Sequence, residues 1–155
     1  ARVGELGFLP SALYVGVLLA AYGVCWMIFQ IPFGYLSDRI GRKYSLLLGL
    51  AITSASMIAL SLARDFWLMM VVSGIYGAGY AMIFPSAAAL AVEGANREKR
   101  ALGSGVFHLA FTEGVVFGAP LFSVIAGRYG PSVGLMSSAL APLLALVVAS
   151  LVLRK

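Results

Sequence analysis

Residues 34–43 read Gly-Tyr-Leu-Ser-Asp-Arg-Ile-Gly-Arg-Lys, and Asp38, Arg39, Arg42 and Lys43 give the stretch four charges. On either side lie apolar runs long enough to cross a bilayer, so the stretch is the water-facing connection between two membrane spans. Composition agrees. The 155-residue chain is 61% apolar and 11% charged with a mean hydropathy of +0.98, against roughly 25% charged residues in an ordinary soluble domain. Its net charge of +5 does not point to nucleic acid, because the bases are confined to short connections and form no basic face interleaved with aromatics. The single cysteine, Cys25, sits in an apolar run. Neither a disulfide framework nor a metal-ligand cluster follows from it, and no cofactor is expected.

Five candidate spans lie at 11–36, 44–63, 67–92, 102–127 and 132–153, each near or above the ~20 residues that cross a hydrocarbon core. Backbone groups in lipid must be satisfied within their own segment, and the runs lack the alternation of barrel strands, so all five are predicted as helices of one membrane domain covering 1–155. Lys and Arg are retained on the cytoplasmic side during insertion. With 38–43 inside, Arg39, Arg42, Lys43, Arg97, Lys99, Arg100, Arg154 and Lys155 fall on that side, against Arg2, Arg64 and Arg128 on the other. The expected topology starts outside and ends in the cytoplasm. Phe66, Trp67 and Tyr129 fit an aromatic belt at the outer boundary, whereas Trp26 does not. The first ten residues carry no signal-peptide pattern.

The pattern Gly34-x-x-x-Asp38-Arg39-x-Gly41-Arg42-Lys43 between two hydrophobic helices resembles the signature loop of the major facilitator superfamily, which follows the second helix of each six-helix half. The resemblance implies a half-bundle lacking its first helix, with the five spans as its second to sixth. Ser73 stands where first halves commonly place an arginine. Gly114-x-x-x-Gly118-Ala119-Pro120 departs from the Gly-Pro signature of first-half antiporters. Both departures favour the C-terminal half, with Arg154-Lys155 as its cytoplasmic end. What this implies is a secondary active transporter in the plasma (inner) membrane that moves a small solute by alternating access, ion- or proton-coupled. Its partners are the solute, the lipid bilayer and the missing half. Two other classes are weighed beside it. A non-transporting membrane scaffold or subunit fits if five spans are the whole protein. A membrane-embedded enzyme would need acid and base from His and Glu, and the chain has no His-Glu-x-x-His, no Gly-x-Ser-x-Gly and no second acid within reach.

Gly34 and Gly41 are expected to permit a tight turn and a close approach of helix ends. Asp38 and the three bases have Glu93, at the far end of the third span, as a fitting partner. By the resemblance, Asp38, Arg39, Arg42, Lys43 and Glu93 form a network that holds one conformation of the carrier. The alternative is that the bases are topology signals only, since exposed ion pairs are worth ~0–1 kcal/mol. Ser73 with Gly77, and Gly114 with Gly118, place small residues four apart for close helix packing. Pro32, Pro85, Pro120 and Pro142 are expected to bend or loosen their helices.

The sharpest chemical feature is Glu113, twelve residues into the fourth span and ~18 Å along it at 1.5 Å per residue. A charge at that depth costs ~2.5–3.5 kcal/mol on insertion scales, so the carboxyl must be protonated, paired or open to a wet cavity. Glu113 is therefore a candidate proton or substrate site, with His108 and Thr112 nearer the cytoplasmic end. His108 and Thr112 share a face, whereas Glu113 lies ~140° from His108 on the helical wheel, too far for a direct bond. The resemblance assigns cavity duty to the spans at 11–36, 67–92 and 102–127. Tyr22, Gln30, Tyr76 and Tyr80 lie on the first two of these, and Gln30 and Tyr80 are the further candidate contacts.

Overall fold

The computed structural model describes residues 11–93, Asn96 and residues 99–152. Six helices follow one another: α1 (Ser11–Ile40), α2 (Arg42–Leu62), α3 (Phe66–Val92), α4 (Arg100–Tyr129), α5 (Pro131–Ser138) and α6 (Leu140–Val152). No strand occurs among the described residues. The last two helices form one span, Pro131–Val152, so five segments are long and apolar enough to cross a membrane. With 30 residues each, α1 and α4 measure about 45 Å at 1.5 Å per residue. A hydrocarbon core of ~30 Å leaves their ends among the headgroups or tilts them.

The first connection is shorter than the sequence suggests. Instead of a loop over 34–43, α1 continues through Ser37, Asp38 and Arg39 to Ile40, and only Gly41 separates it from α2. Asp38 and Arg42, one helical turn apart, pair across the join. Gly41 has φ 97° and ψ 133°, a region closed to side chains with a Cβ. Gly34 takes no part in the turn: it lies inside α1, and a Cβ there would meet nothing within 4 Å. Gly130, with φ 96°, makes the matching one-residue join between α4 and α5. At the other end of the bundle, Asp65 caps α3 by accepting the Leu68 N–H at 3.1 Å.

Packing centres on α3, which has α1 on one side and α2 on the other. Small residues bring the backbones together. A Cβ on Gly49 would come within 2.8 Å of the Gly79 carbonyl oxygen, and one on Gly77 would collide with the Tyr22 carbonyl. The core here is rich in hydroxyls rather than large hydrocarbons: Ser37, Ser45, Thr53, Ser54, Ser73 and Ser86 are all buried. Lipid association has no hydrophobic drive of its own, so close backbone contact and internal hydrogen bonds take its place. Most short hydroxyls satisfy themselves. Thr53 donates to the Gly49 carbonyl at 3.0 Å, Ser54 to that of Leu50 at 2.7 Å and Ser86 to that of Met82 at 2.7 Å. Ser37 and Ser86 also meet at 2.9 Å, linking α1 to α3.

The other side is looser. The α4 helix touches α3 only slightly and packs chiefly on α5, while α5 and α6 lean on α2. No residue of α4 is buried. Its Gly114 and Gly118, expected to allow close packing, have nothing within 4 Å of a notional Cβ. They line instead a cavity of about 510 Å³ between α2, α3, α4 and α6. The prolines also differ from one another. Helix continues through Pro32, Pro85 and Pro120, but the last span breaks between Ser138 and Leu140. That break lies four residues before Pro142, where the missing N–H and the ring clash act on the Ser138 carbonyl.

Candidate functional site

Three groups of chemistry-bearing side chains lie on this frame. The first is at the end where α1 meets α2 and α3 finishes. The Nε of Arg42 lies 3.5 Å from Oδ1 of Asp38, and its Nη1 lies 3.9 Å from Oε2 of Glu93. Arg42 thus sits between two carboxylates from different helices. The contact also places the 41 and 93 connections at the same edge of the bundle. All three side chains are more than a third exposed, so the pairs are individually worth at most ~1 kcal/mol. Lys43 lines the same cleft of about 460 Å³, together with Ser37, Tyr44 and Leu90. Arg39 departs from the expected network. Its guanidinium carbon lies 4.7 Å above the Tyr35 ring, a cation–π contact on the outward side of α1.

The second group is on α4. His108, Thr112 and Glu113 line one shallow groove of about 350 Å³ with Gly105, Leu109, Val116 and Phe117, every one of them from the same helix. Thr112 donates to the His108 carbonyl at 2.8 Å, so its hydroxyl is occupied by its own helix. Glu113 is exposed, and among the described residues no ion pair or hydrogen bond reaches its carboxylate. At 100° per residue, Leu109 and Val116 of this groove fall on the opposite face of α4 from Gly114 and Gly118, with Glu113 about 100° around from Gly114. The helix thus has two open faces, one polar and one lined by small residues.

The third group was not visible as a unit in the sequence. Tyr22 and Trp26 of α1, Tyr76, Tyr80 and Phe84 of α3, and Phe107, His108 and Phe111 of α4 form a continuous array of rings. Trp26 stands edge-on to Tyr80 at 5.7 Å and 86°, and Phe84 edge-on to Phe111 at 5.5 Å and 84°. Tyr22 contacts Tyr76 and Tyr80 at 5.3 and 6.1 Å. These separations suit edge-to-face aromatic packing. The signal was present as i, i+4 ring spacing on three spans, and it explains why Trp26 lies outside the belt. His108 belongs both to this array, 6.2 Å from the Phe84 ring, and to the groove it shares with Glu113. Gln30 lies one turn beyond Trp26 and is half-buried.

Trp67 and Tyr129, 67% and 70% exposed, stand at the ends of α3 and α4 that lie away from the Arg42 cleft. Arg2, Arg97, Arg154 and Lys155, counted above for topology, lie outside the described residues.

Described residues that are helical throughout their regular structure, with five segments long and apolar enough to cross a membrane and a charged cleft where three of them meet, define an integral membrane protein. The chain belongs to the Major Facilitator Superfamily, whose family model matches residues 4–155. It is similar to the inner membrane transport protein YajR of Escherichia coli (strain K12), 38% identical over 69 residues, or 44% of this chain and 15% of that protein. It is also similar to the class D tetracycline resistance protein of Salmonella ordonez, 32% identical over 130 residues, 80% of this chain and 32% of that protein. The class B tetracycline resistance protein of Escherichia coli is 31% identical over 121 residues, 76% of this chain and 29% of that protein. The chain thus spans no more than a third of the length of these relatives. The first of these relatives is named as an inner membrane transport protein.

Proposed function

We propose that this chain is one part of a secondary active transporter of small solutes in an inner membrane, working by alternating access and coupled to protons. The observation that carries the reading is the Glu113 carboxyl. It stands near the middle of a 30-residue spanning helix, exposed and without a partner among the described residues. Hydrocarbon does not tolerate that arrangement, and an intramembrane acid of this kind takes a proton or faces a wet cavity. In a carrier, the outward face of α4 borders the solute path, and the protonation state of Glu113 decides which compartment the path opens to. The face with Gly114 and Gly118 receives a further spanning helix, and the rest of the transporter completes the cavity. Arg42, held between Asp38 and Glu93, clamps the ends of α1, α2 and α3 in one of the two conformations. That end is the cytoplasmic one, by the excess of bases.

The test is transport by the complete protein in proteoliposomes with an imposed pH gradient, against a panel of solutes. Tetracycline comes first, because two relatives are named for resistance to it. Glu113→Gln should abolish gradient-driven accumulation and leave solute exchange at equal pH. An unchanged pH dependence would remove the coupling role, and a panel without any transported solute would favour a scaffold.

A further inference from the structure

Arg39 and Arg42 stand at the same join and use their charges differently. Arg42 lies between the carboxylates of Asp38 and Glu93, whereas among the described residues no carboxylate reaches Arg39. Its guanidinium lies over the Tyr35 ring instead, 4.7 Å from the centroid. A guanidinium stacked by its face keeps its N–H edge free, and that edge is the part that grips a phosphate with paired hydrogen bonds. The helix fixes the direction. Ser37 is buried and meets Ser86 of α3, and at 100° per residue Tyr35 and Arg39 fall about 160° from it, with Ile31 about 120° and Ile28 about 180° away. All four are exposed, Ile31 by 83% and Tyr35 by 61%.

Together they make one stripe on the side of α1 turned away from α3, with the chemistry of a phospholipid taken from head to tail. Arg39 is next to the last residue of the helix. Tyr35 lies about 6 Å deeper, and Ile31 and Ile28 about 12 and 16 Å deeper at 1.5 Å per residue, which covers one leaflet of a hydrocarbon core ~30 Å thick. Charge favours an anionic occupant: around this end, Arg39, Arg42, Lys43, Lys99 and Arg100 stand against Asp38 and Glu93 among the described residues. We propose that the stripe is a docking site for an anionic phospholipid of the phosphatidylglycerol kind. Its phosphate sits on the Arg39 guanidinium, its glycerol beside the Tyr35 ring, and an acyl chain runs along Ile31 and Ile28. A zwitterionic lipid brings its own ammonium group to an end already rich in bases and is the weaker occupant. The docked lipid holds the end of α1 beside the Asp38–Arg42 pair without competing for it. The site needs only the membrane crossings and is independent of the coupling role of Glu113.

Native mass spectrometry of the complete protein tests this, with the protein delipidated in detergent and titrated with phosphatidylglycerol or with phosphatidylcholine of the same acyl chains. Phosphatidylglycerol should bind about five-fold more tightly, the equivalent of one basic contact at the membrane surface. Arg39→Gln should weaken it about five-fold and leave phosphatidylcholine binding as it was, which also shows that the variant is folded. Tyr35→Phe keeps the ring under the guanidinium and should bind as before, while Tyr35→Leu should lose about three-fold. Excess glycerol 3-phosphate should not displace the lipid, because it has no acyl chain to lie along the isoleucines. Equal affinity for the two lipids, phosphatidylglycerol binding indifferent to Arg39→Gln, an equal loss of both lipids in that variant, or displacement by glycerol 3-phosphate would overturn the proposal.

Discussion

On α3, Gly77 lies against the Tyr22 carbonyl and Gly79 against Ile52 and Thr53; on α4, Gly114 and Gly118 meet nothing within 4 Å. The α1–α2–α3 side uses its small residues to bring backbones together and closes most of its short hydroxyls into internal hydrogen bonds. The α4 side holds the same materials open. It also carries the one mid-span acid, Glu113, whereas the packed side between its helix ends is free of charges. The difference separates a closely packed group of helices from one that is loosely packed. In lipid that distinction rests on geometry, because apolar exposure by itself is no anomaly there.

The comparison breaks most visibly at the glycines. Gly77→Val forces a side chain into the α1 backbone and should lower stability by about 3 kcal/mol or more, read as unfolding in mixed detergent micelles. Gly118→Val within residues 1–155 alone should change stability by less than about 1 kcal/mol, because only helix propensity is altered. The same substitution in the complete transporter should lose much more, and equal tolerance there would mean that nothing covers this face. Next in size is the Ser37–Ser86 contact, for which a double-mutant cycle to alanine should give a coupling near 1 kcal/mol, in the range of interhelical hydrogen bonds. Arg42→Gln should cost about 0.5–1 kcal/mol, diminishing with added salt, while Arg39→Gln, with only the Tyr35 contact to lose, should cost less. Smallest is Ser45→Ala. This hydroxyl is fully buried without a partner, so its removal should leave stability unchanged or raise it by a few tenths of a kcal/mol.

Much of the fold was legible because lipid imposes a simple rule on the chain. Five long apolar runs separated by short charged or glycine joins have one answer in a bilayer, and the five segments stand where those runs are. The joins were less legible. The Gly34–Lys43 stretch read as a loop because it is polar, yet polarity at a membrane surface is equally compatible with helix, and the Asp38–Arg42 spacing favours it. The prolines read alike, although only Pro142 coincides with a break. Of the candidate sites, Arg42 with Asp38 and Glu93 was readable from charge and position. Arg39 was not, since its side chain follows Tyr35 one turn back and that pairing competes with the cleft. The aromatic array escaped notice because each ring was weighed on its own span, and only three-dimensional packing gathers α1, α3 and α4 into one wall.

The account depends above all on the crossings themselves. With Cys25→Ala as background, single cysteines at positions 40, 65, 96 and 129 of the complete protein can be tested with a membrane-impermeant thiol reagent on right-side-out vesicles. Labelling at 65 and 129, with 40 and 96 reached only after the vesicles are opened, is the predicted result. Reaction of 40 and 96 from opposite faces of the membrane would contradict it.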